Sequence, residues 1–248
     1  MTPAFRPRAH RPSHLAITLP ALAMAAGLSA CQPTLIGSSA LVTVTPEVPA
    51  FARLHLSNEV DATVARGERP TLSVTINENL VDHLRIRTEG GSLRIALDED
   101  YDYERLHAEA QAVTPSLAAV ELSGASRARL VGFEAISVPK FAADLSGASA
   151  LSGAVTAEQL TLDLSGASRA DVGGVARVLD LDLSGASRAG LEGLPVESAG
   201  VALSGASRAD VRADGEVRGE ASGASSLTVR GSAVIRVETS GGSAISRR

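Results

Sequence analysis

Apolar and polar positions alternate along most of this chain, and the alternation is the strongest signal in it. Val120, Leu122, Gly124, Ser126, Ala128 and Leu130 share one parity. So do Leu162, Leu164, Gly166, Ser168, Ala170 and Val172, and again Leu181, Leu183, Gly185, Ser187, Ala189 and Leu191. Period two is that of a strand with one buried face, not the 3.6 of a helix. A tetrad, Ser-Gly-Ala-Ser, sits within each of these runs and recurs at Ser123, Ser146, Ser165, Ser184, Ser204 and Ser222, with Ser-Gly-Gly-Ser at Ser240. Its glycines, Gly124, Gly147, Gly166, Gly185, Gly205, Gly223 and Gly241, are 23, 19, 19, 20, 18 and 18 residues apart. A period near twenty marks stacked supersecondary units. Nineteen extended residues trace a loop of about 60 Å, and loops stacked at about 4.8 Å put like residues in columns. The predicted fold is therefore all-β: a β-solenoid, most simply a right-handed parallel β-helix, with about seven rungs of 18–23 residues, preceded by a smaller β region.

In that fold leucines and valines fill the interior, and the glycines and serines line one inner corner. Stacked serine hydroxyls are expected to donate to one another, which offsets the cost of burying them. A glycine-permitted bend can also reverse the face that follows it, so the inward side of the second serine is less fixed than that of the leucines.

Upstream of the repeats the alternation continues in shorter pieces. Leu54 and Leu56, then Val60, Ala62 and Val64, then Leu72, Val74 and Ile76 read as strands, with a turn at Gly67–Pro70. Residues 84–86 and 93–97 flank Glu89-Gly90-Gly91-Ser92 as a hairpin, and Asp98–Glu104 is an irregular acidic stretch holding both tyrosines. The expected organisation is a signal segment at 1–30, a Pro/Ser/Thr tether at 31–50, an N-terminal β region at 51–112 and the repeat solenoid at 113–248.

Composition adds one constraint. Aromatics make up 2% of the chain and tryptophan is absent, which suits a narrow interior filled by Leu, Val, Ile and Ala. The first thirty residues read as targeting rather than fold. Arg6, Arg8 and Arg11 precede an apolar run from Leu15 to Leu28 that is too short and alanine-rich for a permanent transmembrane helix. Leu28-Ser29-Ala30-Cys31 resembles the bacterial lipobox, cut just before the cysteine, and Cys31 is the only cysteine. Lipidation at Cys31 is thus expected, with the membrane as partner through that anchor. Gln32 in place of an aspartate, by resemblance to the usual sorting rule, directs the product to the outer membrane. The formal net charge is −5, and residues 1–30 carry three arginines and no acid. Their removal makes the balance more negative, which argues against nucleic acid as a partner.

The order of parts also resembles a known family, the putative auto-transporter adhesin head GIN domain. The resemblance runs from an opening Phe51-x-x-Leu54-x-Leu56 through Leu72-x-Val74-x-Ile76 and Asn79-Leu80-Val81-Asp82 to Gly91-Ser92-Leu93-x-Ile95. It ends with Thr114-Pro115-Ser116-Leu117 feeding Val120 to Ser126, and covers roughly residues 51–245. It implies a β-helical, envelope-associated protein, often a lipoprotein, and brings no catalytic motif.

Stacking turns two positions into outward columns. Two residues before each tetrad stand Glu121, Asp144, Asp163, Asp182, Ala202, Glu220 and Glu238. Directly after it stand Arg127, Ala150, Arg169, Arg188, Arg208, Ser226 and Ala244. The acidic column is expected to be a solvated, charge-patterned face. Two relations would relieve its repulsion: pairing with the arginines across the bend, or a divalent cation bridging carboxylates. No catalytic, cofactor or metal residue is assigned. His55, His83 and His107 precede the repeats, lie at no metal-ligand spacing and read as exposed strand or loop residues. The tetrad serines have no histidine within the repeats to activate them. The function expected is a non-catalytic envelope lipoprotein with an adhesive or structural surface, its partner a protein or glycan of the envelope or cell surface. The alternatives are a parallel β-helix polysaccharide lyase or hydrolase, and a subunit that stacks end to end through open strand edges.

Overall fold

A computed structural model describes residues 32–248; Cys31 and the segment before it lie outside the described residues. The strands are, in chain order, β1 (Thr34–Ile36), β2 (Leu41–Val44), β3 (Arg53–Leu56), β4 (Asp61–Arg66), β5 (Thr71–Asn77), β6 (Leu84–Glu89), β7 (Ser92–Leu97), β8 (Asp102–Glu104), β9 (Ala108–Thr114) and β10 (Ala119–Leu122). There follow β11 (Arg127–Val131), β12 (Ser137–Leu145), β13 (Ala150–Leu164), β14 (Arg169–Leu183), β15 (Arg188–Leu203), β16 (Arg208–Ala221), β17 (Ser226–Arg230), β18 (Val234–Thr239) and β19 (Ala244–Arg247). From β10 onward successive turns pair in parallel, giving a β-solenoid of about seven turns.

The inward columns are those the alternation predicts. Ile95, Leu56, Leu122, Leu145, Leu164, Leu183, Leu203 and Ala221 stand in one continuous register and all are buried. Each leucine so enclosed contributes about 1.5–3 kcal/mol relative to an exposed one. Turn length also has a structural reading. Strict alternation needs an even residue count, so an odd turn must break it once. The 19-residue turns do so with consecutive outward residues at Glu158–Gln159 and Arg177–Val178. The 20-residue turn breaks it twice, at Glu192–Gly193 and Glu197–Ser198, and the 18-residue turn from Gly205 to Gly223 not at all.

The tetrad forms the sharpest bend, with its glycine in the left-handed region, at φ between 66° and 72° in all seven copies. The second serine points inward: Ser126, Ser149, Ser168, Ser187, Ser207 and Ser225 are all buried. Two expectations are corrected here. The glycines lie on the outside of the corner, not its inside. And the serine hydroxyls do not donate to one another. Ser149, Ser168 and Ser187 each donate to the carbonyl of the first serine of their own tetrad, at 2.7, 2.8 and 2.7 Å. That bond closes the bend locally, so it is available whatever stands in the next turn.

Residues 51–112 are woven into the stack rather than set before it. Between β7 and β10 lies β3, and between β9 and β11 lies β4, all in parallel register. Leu54-x-Leu56-Ser57-Asn58-Glu59-Val60 occupies the places of Val120 to Ser126, with Asn58 at φ 60° standing where the later turns have glycine. Asparagine tolerates the left-handed region better than other side chains. Beyond β9 and β7, the antiparallel strands β5 and β6 cover the N-terminal end, with β2 outermost on β5. The hairpin at Glu89–Ser92 forms as expected.

The segment after Cys31 is no tether. β1 pairs with β8, and β2 with β5. Gly37 N donates to Glu104 O at 2.8 Å, Ser38 N to Asn79 Oδ1 at 2.8 Å and Glu78 N to Ala40 O at 2.8 Å. Asn79 Nδ2 donates to Ile36 O at 2.9 Å, and buried Asn77 donates to Ser38 O at 2.7 Å. The prolines suggested a loose linker, but these amide side chains supply the partners that an irregular segment needs.

Candidate functional site

The acidic column is a true ladder. Glu121 stands opposite Asp144, Asp144 opposite Asp163 and Asp163 opposite Asp182, one per turn on the outer face. It breaks at Ala202 and resumes at Glu220 and Glu238. Its N-terminal end is closed by neighbours from the woven-in strands. His55 Nδ1 lies 2.9 Å from Glu121 Oε2, and Arg94 donates to His55 Nε2 at 3.0 Å. Among the described residues no ion pair reaches Asp144, Asp163 or Asp182. Burial, then Asp182 and Asp144 on either side, raises the Asp163 carboxyl above the usual aspartate range, with Lys140 opposing.

The sign of that shift gives a pH dependence. A carboxyl with a raised folded-state pKa makes the fold bind more protons than the unfolded chain between the two pKa values. Stability therefore falls as pH rises through that window. Asp163→Asn is expected to raise stability at pH 7 by a few tenths of a kcal/mol, the scale of relieving like charges across a ladder. The gain should vanish below the ordinary aspartate pKa, where wild type is also neutral. Urea melts at pH 7 and pH 3.5 check this; a gain at pH 3.5 equal to that at pH 7 would exclude an electrostatic origin.

The arginines do not reach across the bend to this ladder. They stay on their own face, where Arg127, Arg169 and Arg208 find partners. Arg127 meets Asp61 at 3.3 Å, one turn below it. Arg169 makes a two-pronged pair with Asp171 at 2.5 and 3.1 Å, and Arg208 donates to Ser226 Oγ at 3.1 Å. The partner within reach is the next outward residue of the same strand for Arg169, and the residue directly opposite in the adjoining turn for Arg127 and Arg208. Crossing the tetrad would mean folding back around an outward bend. Among the described residues no three His, Cys, Asp or Glu side chains come together as a metal cluster. Beside Asp163, Asp180 and Asp182 the small residues Gly200, Ala202 and Gly219 leave a shallow hollow of about 410 Å³, walled on the far side by Arg218.

His55, His83 and His107 are partly buried rather than exposed. His83 sits edge-on to Tyr101, with ring centroids 4.8 Å apart, and 3.3 Å from Asp98, which also takes Arg85 at 2.6 Å. Tyr103 donates to the Asp98 carbonyl at 2.9 Å, and burial, with Asp98 and Tyr101 beside it, pushes its hydroxyl up to about 12. This cluster locks the acidic loop at Asp98–Glu104. Sequence reasoning passed over it because its members share no period. Cys31, the one residue given a role from sequence, lies outside the described residues.

Comparison with solved structures identifies the architecture. A putative adhesin from Bacteroides fragilis NCTC 9343 superposes with a TM-score of 0.80 at 14% identity, covering 86% of this chain and 100% of that one. A putative lipid binding protein from Parabacteroides distasonis ATCC 8503 gives 0.69 at 16% identity, covering 87% and 99%. A putative adhesin from the same organism gives 0.65 at 16%, covering 87% and 100%. At such identities the likeness is one of fold. No curated protein matches the sequence. Among the described residues no helix is long and apolar enough to cross a membrane. The family model described as "Putative auto-transporter adhesin, head GIN domain" matches residues 50–233, and the chain belongs to that family.

Proposed function

We propose that this is a non-catalytic, adhesin-like envelope protein, held to the outer membrane by acylation of Cys31, whose solenoid binds a partner through its outer face. The observation that carries the reading is the pair of charged columns flanking the tetrad corner. Asp144, Asp163 and Asp182 on one side and Arg169, Arg188 and Arg208 on the other repeat once per turn at about 4.8 Å. A flat, periodic surface of this kind suits a repetitive macromolecular partner, a glycan or an extended protein, more than a small substrate. The lipobox-like Leu28-Ser29-Ala30-Cys31 supports the anchor, and membership of an adhesin family supports the surface role.

The test is attachment. Cells lacking the protein are expected to lose at least half of their adherence to a glycan- or protein-coated surface. Complementation with an Asp144→Asn, Asp163→Asn, Asp182→Asn triple variant should fail to restore it at equal protein level. Adherence unchanged by the deletion on every surface would remove the adhesin reading. Restoration by the triple variant would move the binding surface away from this face.

A further inference from the structure

From the N-terminal end of the fold we infer that the solenoid stands flush on a lipid surface, with Ile36 and Leu41 set into the headgroup layer. The inference rests on acylation of Cys31, and adds to it an orientation and a second, non-covalent contact.

Two observations meet at this end. The first is apolar exposure. Among the described residues six large hydrophobic residues are exposed, and three of them, Ile36 at 48%, Leu41 at 49% and Val42 at 36%, fall within seven consecutive positions. Ile36 ends β1, and Leu41 and Val42 open β2, where they point to opposite faces of the strand; β2 is the outermost strand, paired to β5 alone among the described residues. The second is chain length. One apolar stretch ends at Leu28, Cys31 follows, and Gln32 is already part of the fold, its side chain donating to Glu99 O at 2.9 Å. Ile36 stands five residue steps from Cys31, a reach of at most roughly 17 Å when fully extended. With the strap pinned by Asn77 and Asn79, no slack remains for the body to drift from an acylated cysteine.

Apolar side chains held that close to a bilayer partition into its interface. The neighbouring chemistry fits a zwitterionic surface. Tyr101, amphipathic and suited to headgroup depth, lies in the loop whose β8 pairs with β1. That loop also carries Asp98, Glu99, Asp100, Asp102 and Glu104, which would repel anionic lipid. The strand ladder from β2 through β5, β9, β4, β11, β13, β14, β15, β16 and β17 to β19 then rises away from the membrane. At about 4.8 Å per step it lifts the far end roughly 48 Å.

The full chain is produced in a host that processes lipoproteins, and acylation is read from the mass of its N-terminal peptide. It is placed in phosphatidylethanolamine–phosphatidylcholine vesicles. Leu41→Cys, Ile36→Cys and, as the distant control, Val234→Cys each carry an environment-sensitive fluorophore, the Cys31 thiol being consumed by the acyl group. Spin-labelled lipid is expected to quench the labels at 36 and 41 at least threefold more than the label at 234. Added anionic lipid should reduce the difference. Acylated, vesicle-bound protein with equal quenching at all three sites would overturn the flush orientation and leave the anchor standing. An unacylated Cys31 would overturn both. Shielding at 36 and 41 that appears without vesicles and grows with protein concentration would assign the patch to a second copy, and would also overturn the proposal.

Discussion

Leu183→Asp is expected to unfold the middle of the solenoid, at a cost of at least about 5 kcal/mol, while Ala186→Asp three residues on should stay within about 0.5 kcal/mol of wild type. Leu183 is fully enclosed, between Leu164 in the turn below and Leu203 in the turn above. Removing a buried leucine side chain costs about 2–5 kcal/mol by itself. Placing a carboxyl there adds the penalty of a polar group with no partner, because the column on either side is hydrocarbon. Whole domains are stable by only about 5–15 kcal/mol, so one such residue is decisive. The turns of a solenoid are stabilised by their neighbours, and the loss should spread to the turns on both sides. Ala186 faces outward on the exposed side of the tetrad, where an added carboxylate meets water. Far-UV circular dichroism and urea melts of the two variants decide it. The opposite order, with Ala186→Asp unfolded and Leu183→Asp folded, would invert the whole register.

That register was legible in the sequence because its cause is local. Each of Leu162, Leu164, Leu181 and Leu183 must be buried one strand step from a polar residue, and period two records this directly. What the sequence obscured was anything set by contacts between distant segments. Leu54 to Val64 has the same alternation as the repeats. Yet Asn58 does by side-chain tolerance what glycine does elsewhere, so the tetrad spelling is lost and the turn goes uncounted. A search for the conformational requirement, a left-handed residue between Leu-Ser and an inward small or apolar residue, would have found it. Residues 32–50 were misread for a related reason. Prolines and small polar residues suggest a linker, and what fixes them lies some forty positions away, at Asn77 and Asn79.

The surface divides in the same way. Which residues form the acidic and arginine columns follows from spacing alone. How they pair does not, since that depends on whether a long side chain finds its partner on the same face or across the bend. The closure of the ladder by His55 and Arg94 needed the woven-in strands β3 and β7, which no repeat announces.

The tetrad glycines are expected to differ sharply in what they tolerate, although all seven share one conformation. Gly185 has φ 70°, and a Cβ built there would lie 2.5 Å from the carbonyl oxygen of Gly166 in the turn below. That oxygen already accepts from Ala186 N at 2.7 Å, so it cannot retreat without breaking the corner ladder. Gly185→Val should therefore carry a left-handed strain of about 1–3 kcal/mol together with the loss of one or two hydrogen bonds worth about 1 kcal/mol each. A total of roughly 2–5 kcal/mol follows. Gly124 has φ 71°, but the turn beneath it is the irregular one, and the nearest atom to its Cβ would be Asn58 N at 3.3 Å. Only the conformational cost applies there, and asparagine at φ 60° already meets it in the same column at Asn58. Gly124→Asn is thus expected to cost no more than about 1 kcal/mol, and Gly185→Asn at least about 2 kcal/mol more than that. Urea denaturation of the three variants measures the difference directly. Equal costs for the two asparagine variants would show that φ alone constrains the column. The carbonyl stacked beneath each glycine would then have no part in holding the turns in register.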